Sequence, residues 1–407
     1  MESYPVNKKA ENFENEGDVL TLESLPDDAI LQILFWLQPQ DLALLCLVCK
    51  RLRALANSDS LWKGFARQFT YKPKTGGLKK SWKEVYCFGK KWNAGSLECV
   101  VTMNLAPKNL MPWIWLNNQG NILMVSQGTE IFSYSSTKLM KHQGGDRCIL
   151  SKLSGHTSDV TRFTKVGNFI YSASLDKTVC VWTVKKKPRR VAKLSGHQSN
   201  INCIQANQEV IVSGSRDESI KVWSSWDYTC LDSIDLEDQV RSLCLNRLKS
   251  HVIVGMSAHN VKYGALRTYD LNRGRLVCDL TSNGSGTERL GAGITQLALE
   301  DAHTVLSCGY DTTIRLWDLR TRRCVLALYD PHDNAVFCFD SNKDWMVVSG
   351  TSRHGVVRLW DKRMTSPVRS FFTSPRRNSS PVYSLRYCED ALYVAMSSSV
   401  RIFSLYK

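Results

Sequence analysis

Ser172, His156 and Asp176 have the side chains of a nucleophilic triad, and Ser213, His197 and Asp217 repeat the set at the same offsets. A serine hydrolase needs one such set, with an oxyanion hole and a strained turn such as GxSxG. No GxSxG accompanies either set, and duplication at one offset suggests a scaffold instead. No GxxxxGK[ST] loop supports nucleotide hydrolysis. Cys46 and Cys49 form a lone CxxC around the apolar Leu47 and Val48, without the second pair a structural zinc site requires. The 14 cysteines show no repeated pair spacing, which argues against a disulfide framework and for small buried hydrophobes. The chain reads as non-catalytic, with no cofactor and no metal expected.

The elements that must position these residues fall into two parts. The 407 residues carry 53 Lys and Arg against 38 Asp and Glu, a formal net charge of +15. Residues 1–66 hold 6 basic and 10 acidic side chains, whereas 67–96 hold 8 and 1. A faintly acidic head, a basic connector and a basic body follow. No window reaches the roughly 18 apolar residues of a membrane-spanning helix, and Met1–Gly17 lacks the apolar core of a secretory signal. The expected location is the cytoplasm or the nucleus. The charge raises nucleic acid, an acidic membrane surface or an anionic protein as partners.

After a polar start expected to be disordered over 1–20, helix signals are dense across 21–66. Ser24 with Asp27 reads as a capping box, Pro26 suits a first turn, and Ile30, Ile33, Leu34 and Leu37 recur at helical spacing. Past Pro39, Leu45, Val48, Leu52 and Leu55 form the stripe of a second helix. Asn57, Ser58 and Asp59 offer caps for a third, with Leu61, Trp62 and Phe65. Three short helices cannot bury all of that apolar surface among themselves, so the surplus points to a partner. Residues 67–96 read as a basic linker.

From 97 to 407 the text turns to short Val-, Ile-, Thr- and aromatic-rich strands between turn residues. Residues 153–184 and 195–226 are near copies. Each has Gly-His, an Asp 20 residues later and a Trp 6 residues after that Asp. An apolar-x-x-aromatic ending recurs at Tyr134, Trp182, Trp223, Tyr269, Trp317, Trp360 and Phe403, at intervals of 48, 41, 46, 48, 43 and 43 residues. The first, fourth and seventh units are degenerate, ending in Tyr or Phe without Gly-His. The chain stops after the third strand of its last unit, and Leu97–Met103 is the strand expected to complete it.

These residues carry two resemblances. Gly155-His156, Gly196-His197, Trp317-Asp318 and Trp360-Asp361 on this period resemble WD40 repeats, which implies an all-β seven-bladed propeller. In such blades His156, Ser172, Asp176 and Trp182, and again His197, Ser213, Asp217 and Trp223, form a buried hydrogen-bond network. Leu25-Pro26, Ile33-Leu34 with Leu37, Asp41-Leu42, Val48-Cys49-Lys50 and Leu61-Trp62 resemble the F-box, a small all-α domain. That implies docking on a Skp1-type adaptor of a cullin-RING ubiquitin ligase, through Leu25, Pro26, Ile30, Ile33, Leu34, Leu37, Leu45, Val48 and Leu52. The whole text looks most like the dactylin branch of F-box/WD40 proteins, substrate receptors that hold a target protein for ubiquitination and degradation.

Resemblance also bears on the target site. In receptors that read phosphorylated degrons, Arg residues at the positions of Arg216 and Arg241 line the central opening, where guanidinium groups bind phosphate bidentately. The third such Arg falls at Asn202. Thr161, Asn202, Arg241, Thr295, Phe337 and Tyr383 occupy one inner-strand position around the ring, a mixed polar and aromatic rim. A phosphorylated or acidic target with an apolar anchor fits it, while Arg216 and Arg241 could equally pair with neighbouring acids. Lys185–Arg190 reads as a solvated turn or a nuclear-import signal. Ser374-Pro375 and Ser380-Pro381, flanking Arg376-Arg377, could be phosphosites. An assembly scaffold and an RNA-associated propeller are the rival readings; the basic tracts lack the interleaved aromatics of nucleic-acid readers.

Overall fold

The computed structural model describes residues 24–68, 81–94, 98–105, 111–117, 120–142, 146–184, 188–246, 250–259, 264–281, 292–373, 380–388 and 391–404. The start expected to be disordered, Lys185–Lys187 and the Ser374-Pro375-Arg376-Arg377 segment lie outside these residues. The chain divides into two compact units, Met1–Gln68 with Ser81–Tyr86, and the remainder.

The first unit holds four short helices where the sequence pattern predicts three: α1 (Asp27–Leu34), α2 (Pro39–Leu45), α3 (Lys50–Ala56) and α4 (Asp59–Ala66). The expected second helix is two. Cys49 is extended, at φ −149° and ψ 165°, and its Sγ accepts the Leu52 N–H at 3.4 Å as the cap of α3. Arg53 Nε donates to the Cys46 carbonyl at 2.7 Å and ties the turn down. Leu45, Val48 and Leu52 therefore do not share one stripe. The expected capping box is displaced as well: Pro26, not Ser24, is the N-cap of α1, and the reciprocal box joins Gln38 and Asp41 at the start of α2. The basic linker is shorter than 67–96, because Trp82–Ala94 is helical. Its first turn belongs to the head, where the Trp82 N–H bonds Asp59 Oδ1 at 2.9 Å and the Tyr86 ring meets Trp62 edge-on at 5.2 Å.

The second unit is seven antiparallel four-stranded sheets. Their innermost strands neighbour one another around a ring. Blade 1 starts with Ile114–Leu116, and blades 2 to 7 with Val160–Val166, Ile201–Ala206, Val240–Asn246, Ile294–Leu299, Val336–Ser341 and Val382–Tyr387. Blade 7 is completed by Glu98–Asn104, paired with Ser399–Ser404 so that Met103 opposes Val400. That closure pairs the first strand of the propeller with its last and gives blade 7 the fourth strand that the other six have. All seven recurring aromatics lie on third strands and are buried.

One irregularity repeats in blades 2 to 7. The first ladder skips a residue between Val160 and Arg162, Ile201 and Cys203, Val240 and Ser242, Ile294 and Gln296, Val336 and Cys338, and Val382 and Ser384. The skipped residues are Thr161, Asn202, Arg241, Thr295, Phe337 and Tyr383, the six assigned to one rim position from sequence. Each is the extra residue of a β-bulge, a device that re-aims a side chain away from the ladder.

Candidate functional site: the propeller rim and the head's apolar face

The triad-like residues form closed networks. Trp182 Nε1 donates to Ser172 Oγ at 2.7 Å, Ser172 Oγ lies 2.8 Å from His156 Nε2, and His156 Nδ1 lies 2.9 Å from Asp176 Oδ2. In blade 3 the corresponding distances through Trp223, Ser213, His197 and Asp217 are 2.9, 2.8 and 2.9 Å. Ser172 and Ser213 are completely buried, so neither hydroxyl can meet a substrate. Each Asp also accepts backbone N–H groups, Thr157 and Thr178 at Asp176, Gln198 and Ser219 at Asp217. The network thus locks strand, turn and inter-blade loop together.

The two copies differ in one neighbour. Burial lowers the pKa of His197, and the Lys221 cation adds to that effect. At His156 burial works the same way, but the bonds to Asp176 and the neighbouring Cys180 outweigh it and push the ring up to about 9. Ser172 Oγ has a second acceptor, the Cys180 carbonyl at 3.4 Å, so it can receive a proton bond from a charged His156. Burial would raise both carboxylates, yet their hydrogen bonds hold Asp217 at about 2 and Asp176 lower still.

Blades 4 to 7 use a different device that the sequence reading missed. Two residues before the aromatic stand Arg267, Arg315, Arg358 and Arg401. Arg267 pairs with Asp279 at 3.3 Å, Arg315 with Asp311 at 3.1 Å and Arg358 with Asp330 at 2.6 Å, while Arg401 donates to the Thr373 carbonyl. The recurring Arg-x-aromatic text was the available signal.

The rim divides by chemistry. Thr161 Oγ1 donates to the Ile201 carbonyl, Asn202 Nδ2 to Val240 and Thr295 Oγ1 to Val336, each at 2.7 Å. These three tie a blade to the next. Thr161 and Asn202, expected to touch a target, are thus engaged as inter-blade links, because their short side chains reach the neighbouring carbonyl. Arg241, Phe337 and Tyr383 instead form a continuous group with Tyr310, which sequence reasoning did not assign to the site. Phe337 stacks on Tyr383 at 5.9 Å, Tyr310 meets Phe337 edge-on at 5.7 Å, and the Arg241 guanidinium lies 5.3 Å over the Tyr310 ring. Arg241 Nε donates to Ser257 Oγ at 2.7 Å, which fixes its plane. Arg216 stands exposed in the turn after Val210–Ser215, and its side chain has no hydrogen-bond or ion-pair partner among the described residues. Tyr310 follows Ser307-Cys308-Gly309 as Arg216 follows Ser213-Gly214-Ser215, the alignment that could have flagged it.

The head presents a second surface. Of the nine adaptor-facing candidates, Ile30, Leu34 and Leu52 are buried with Leu42, Leu61 and Trp62 and build the head's own interior. Leu25, Leu37 and Leu45 are half-buried, and Pro26, Ile33 and Val48 are exposed. Phe35, Trp36, Leu44 and Leu47 were not singled out, although Trp36 is 88% and Leu47 74% exposed. The helical periodicity picked the inward stripe, while the exposed apolar residues cluster just after α1, on α2 and in the turn before α3.

A family model described as F-box-like matches residues 22–68. One described as WD domain, G-beta repeat matches 147–183, 188–224, 284–318 and 323–361, the segments of blades 2, 3, 5 and 6. The degenerate blades 1, 4 and 7 are the ones it passes over. Human F-box/WD repeat-containing protein 4 is 32% identical over 388 residues, covering 93% of this chain and 91% of its own. The mouse protein of that name is 32% identical over 93% and 92%. Human F-box only protein 3 is 42% identical over 57 residues, 14% of this chain and 12% of its own. The chain therefore belongs to the F-box/WD-repeat family, in the dactylin-type branch of F-box/WD repeat-containing protein 4.

Proposed function

We propose that this protein is the substrate-recognition subunit of an SCF-type ubiquitin ligase. The observation that carries the adaptor half is the exposed apolar group Ile33, Phe35, Trp36, Leu44, Leu47 and Val48, far more than a free helical head leaves in water. It fits a Skp1-type adaptor, through which a cullin-RING core joins. Arg241, over Tyr310 and next to Phe337 and Tyr383, supplies charge-assisted donors at an aromatic platform, and Arg216 offers a second, exposed guanidinium in the turn after Val210–Ser215. Such a rim fits a target segment carrying one phosphate or carboxylate and an apolar side chain. The contribution to ubiquitin transfer is positioning, which raises the effective concentration of target lysines at the conjugating enzyme.

Trp36→Asp combined with Leu47→Asp tests the adaptor half without touching the head's interior. The variant should keep its helical content and lose the adaptor in pulldown; retention of the adaptor would refute the docking surface.

A further inference from the structure

Inside the ring, below the rim, two cations share one indole. The Arg162 guanidinium, from the innermost strand of blade 2, lies 4.4 Å from the Trp113 ring centroid, and that of Arg386, from blade 7, lies 5.1 Å away. Arg162 Nη2 also reaches the Thr295 carbonyl at 2.5 Å. Thr295 belongs to blade 5, with two blades between on one side and three on the other, so Arg162 spans the central channel. Arg386 Nη1 donates to the carbonyl of its own neighbour, Leu385, at 3.0 Å.

Among the described residues no carboxylate lies within ion-pair distance of Arg162 or Arg386. Asp340, on the strand beside that of Arg386, turns its two oxygens to the backbone N–H groups of Ser341 and Tyr387. The thiols facing Arg162 cannot help: burial pushes Cys203 and Cys308 up to about 12 and Cys338 well above its usual value, so all three stay uncharged. Further along, Lys165 over the Trp115 ring adds a third positive group. Arg162 and Arg386 are half-buried in the channel, where a charge without a counter-ion loses part of its hydration and gains from an anionic partner. Here each guanidinium uses one N–H on a backbone carbonyl, and its other donors have no protein acceptor among the described residues.

We infer that the channel between Arg162, Arg386 and Trp113 is a binding site for a single oxyanion of the phosphate class. Of the rim residues Thr295 touches it, through the carbonyl that Arg162 bonds, whereas the Arg241 guanidinium is engaged by Tyr310 and Ser257. The anion comes either free from solution or as a phosphorylated side chain of a bound protein.

The test is thermal unfolding of the full-length protein titrated at constant ionic strength with inorganic phosphate, and separately with N-acetyl-phosphoserine amide. Saturable stabilisation by phosphate with weaker binding of the blocked phosphoserine identifies a free anion. Phosphoserine amide binding as tightly or more tightly identifies a protein side chain. Saturation by neither compound overturns the site. Arg386→Gln, which gives up the bond to the Leu385 carbonyl and the contact with the Trp113 ring, should weaken binding about tenfold or more, as should Arg162→Gln. Unchanged affinity in a folded variant overturns the assignment. Should both variants fail to fold, phenylglyoxal labelling of the wild type decides: phosphate must protect Arg386, and absence of protection refutes the proposal.

Discussion

Arg358 and Asp330 form an ion pair of 2.6 Å inside blade 6, their side chains 2% and 0% exposed. In blades 2 and 3 the loop supplies a His and the turn an Asp; here the loop supplies the acid and the third strand the base. Ser370 Oγ accepts a further Arg358 N–H at 2.6 Å, so the pair is embedded in hydrogen bonds. Such a pair is weakly stabilising as a whole and costly to break from one side. Asp330→Ala should cost about 3 to 5 kcal/mol in urea unfolding, while Asp330→Ala with Arg358→Met should recover much of the loss. A single variant that unfolds like the wild type would show that the pair is not what joins loop to strand in this blade.

The two histidine networks should respond differently to pH. Asp217 has a depressed pKa, so its contribution is complete above the unfolded value near 3.8 and is lost as pH falls through about 2. His197 is also depressed, and the unfolded chain takes up its proton first, so that network weakens as pH falls below about 6.5. His156 is raised, so its contribution is complete below 6.5 and fades as pH climbs through about 9. Lys221→Met should raise the His197 pKa in a proton NMR titration and leave His156 unmoved. No change at His197 would mean that the lysine does not set the difference.

Blades meet too closely for a methyl group at Gly214. A Cβ there would stand 2.4 Å from Cγ1 of Val240 in blade 4 and 2.8 Å from Sγ of Cys203 on the neighbouring strand of blade 3. Gly214→Ala should destabilise the propeller by about 1 to 3 kcal/mol, the usual cost of overpacking, visible as a lower thermal midpoint. An unchanged midpoint would show that the blades can separate locally.

At the rim, Arg241→Ala and Tyr310→Ala should each weaken target capture while thermal stability stays near that of the wild type, since Arg241 is half-buried and Tyr310 exposed. Asn202→Ala should instead lower stability, because Asn202 links blade 3 to the Val240 carbonyl. Target capture lost in the Asn202 variant alone would reverse this division of roles.

The propeller was legible because its signals repeat. A His, Asp and Trp at fixed offsets mark blades 2 and 3, and the recurring aromatic finds the other five, since each blade needs one ring at the same place in its core. The closing strand followed from counting strands to the end of the chain. The head was less legible. Periodicity cannot tell an inward stripe from an outward one, so it selects Ile30, Leu34 and Leu52, which are buried, and passes over the exposed Trp36 and Leu47. The break at Cys49 depends on a sulfur cap and on Arg53 reaching back to Cys46, neither of which a hydrophobic pattern contains. The split of the rim depends on which bulge side chains reach a neighbouring carbonyl, a property of the packed ring rather than of any one repeat.

The central claim is that this chain joins a target to a ubiquitin ligase through two separate surfaces. Affinity purification of wild type against the Trp36→Asp, Leu47→Asp variant under proteasome inhibition tests it most directly, with ubiquitin conjugates on the co-purified proteins as the readout. The same proteins should bind equally to both forms, with adaptor, cullin and ubiquitin conjugates on those proteins present with the wild type alone. Equal ubiquitination of the bound proteins with both forms would contradict it.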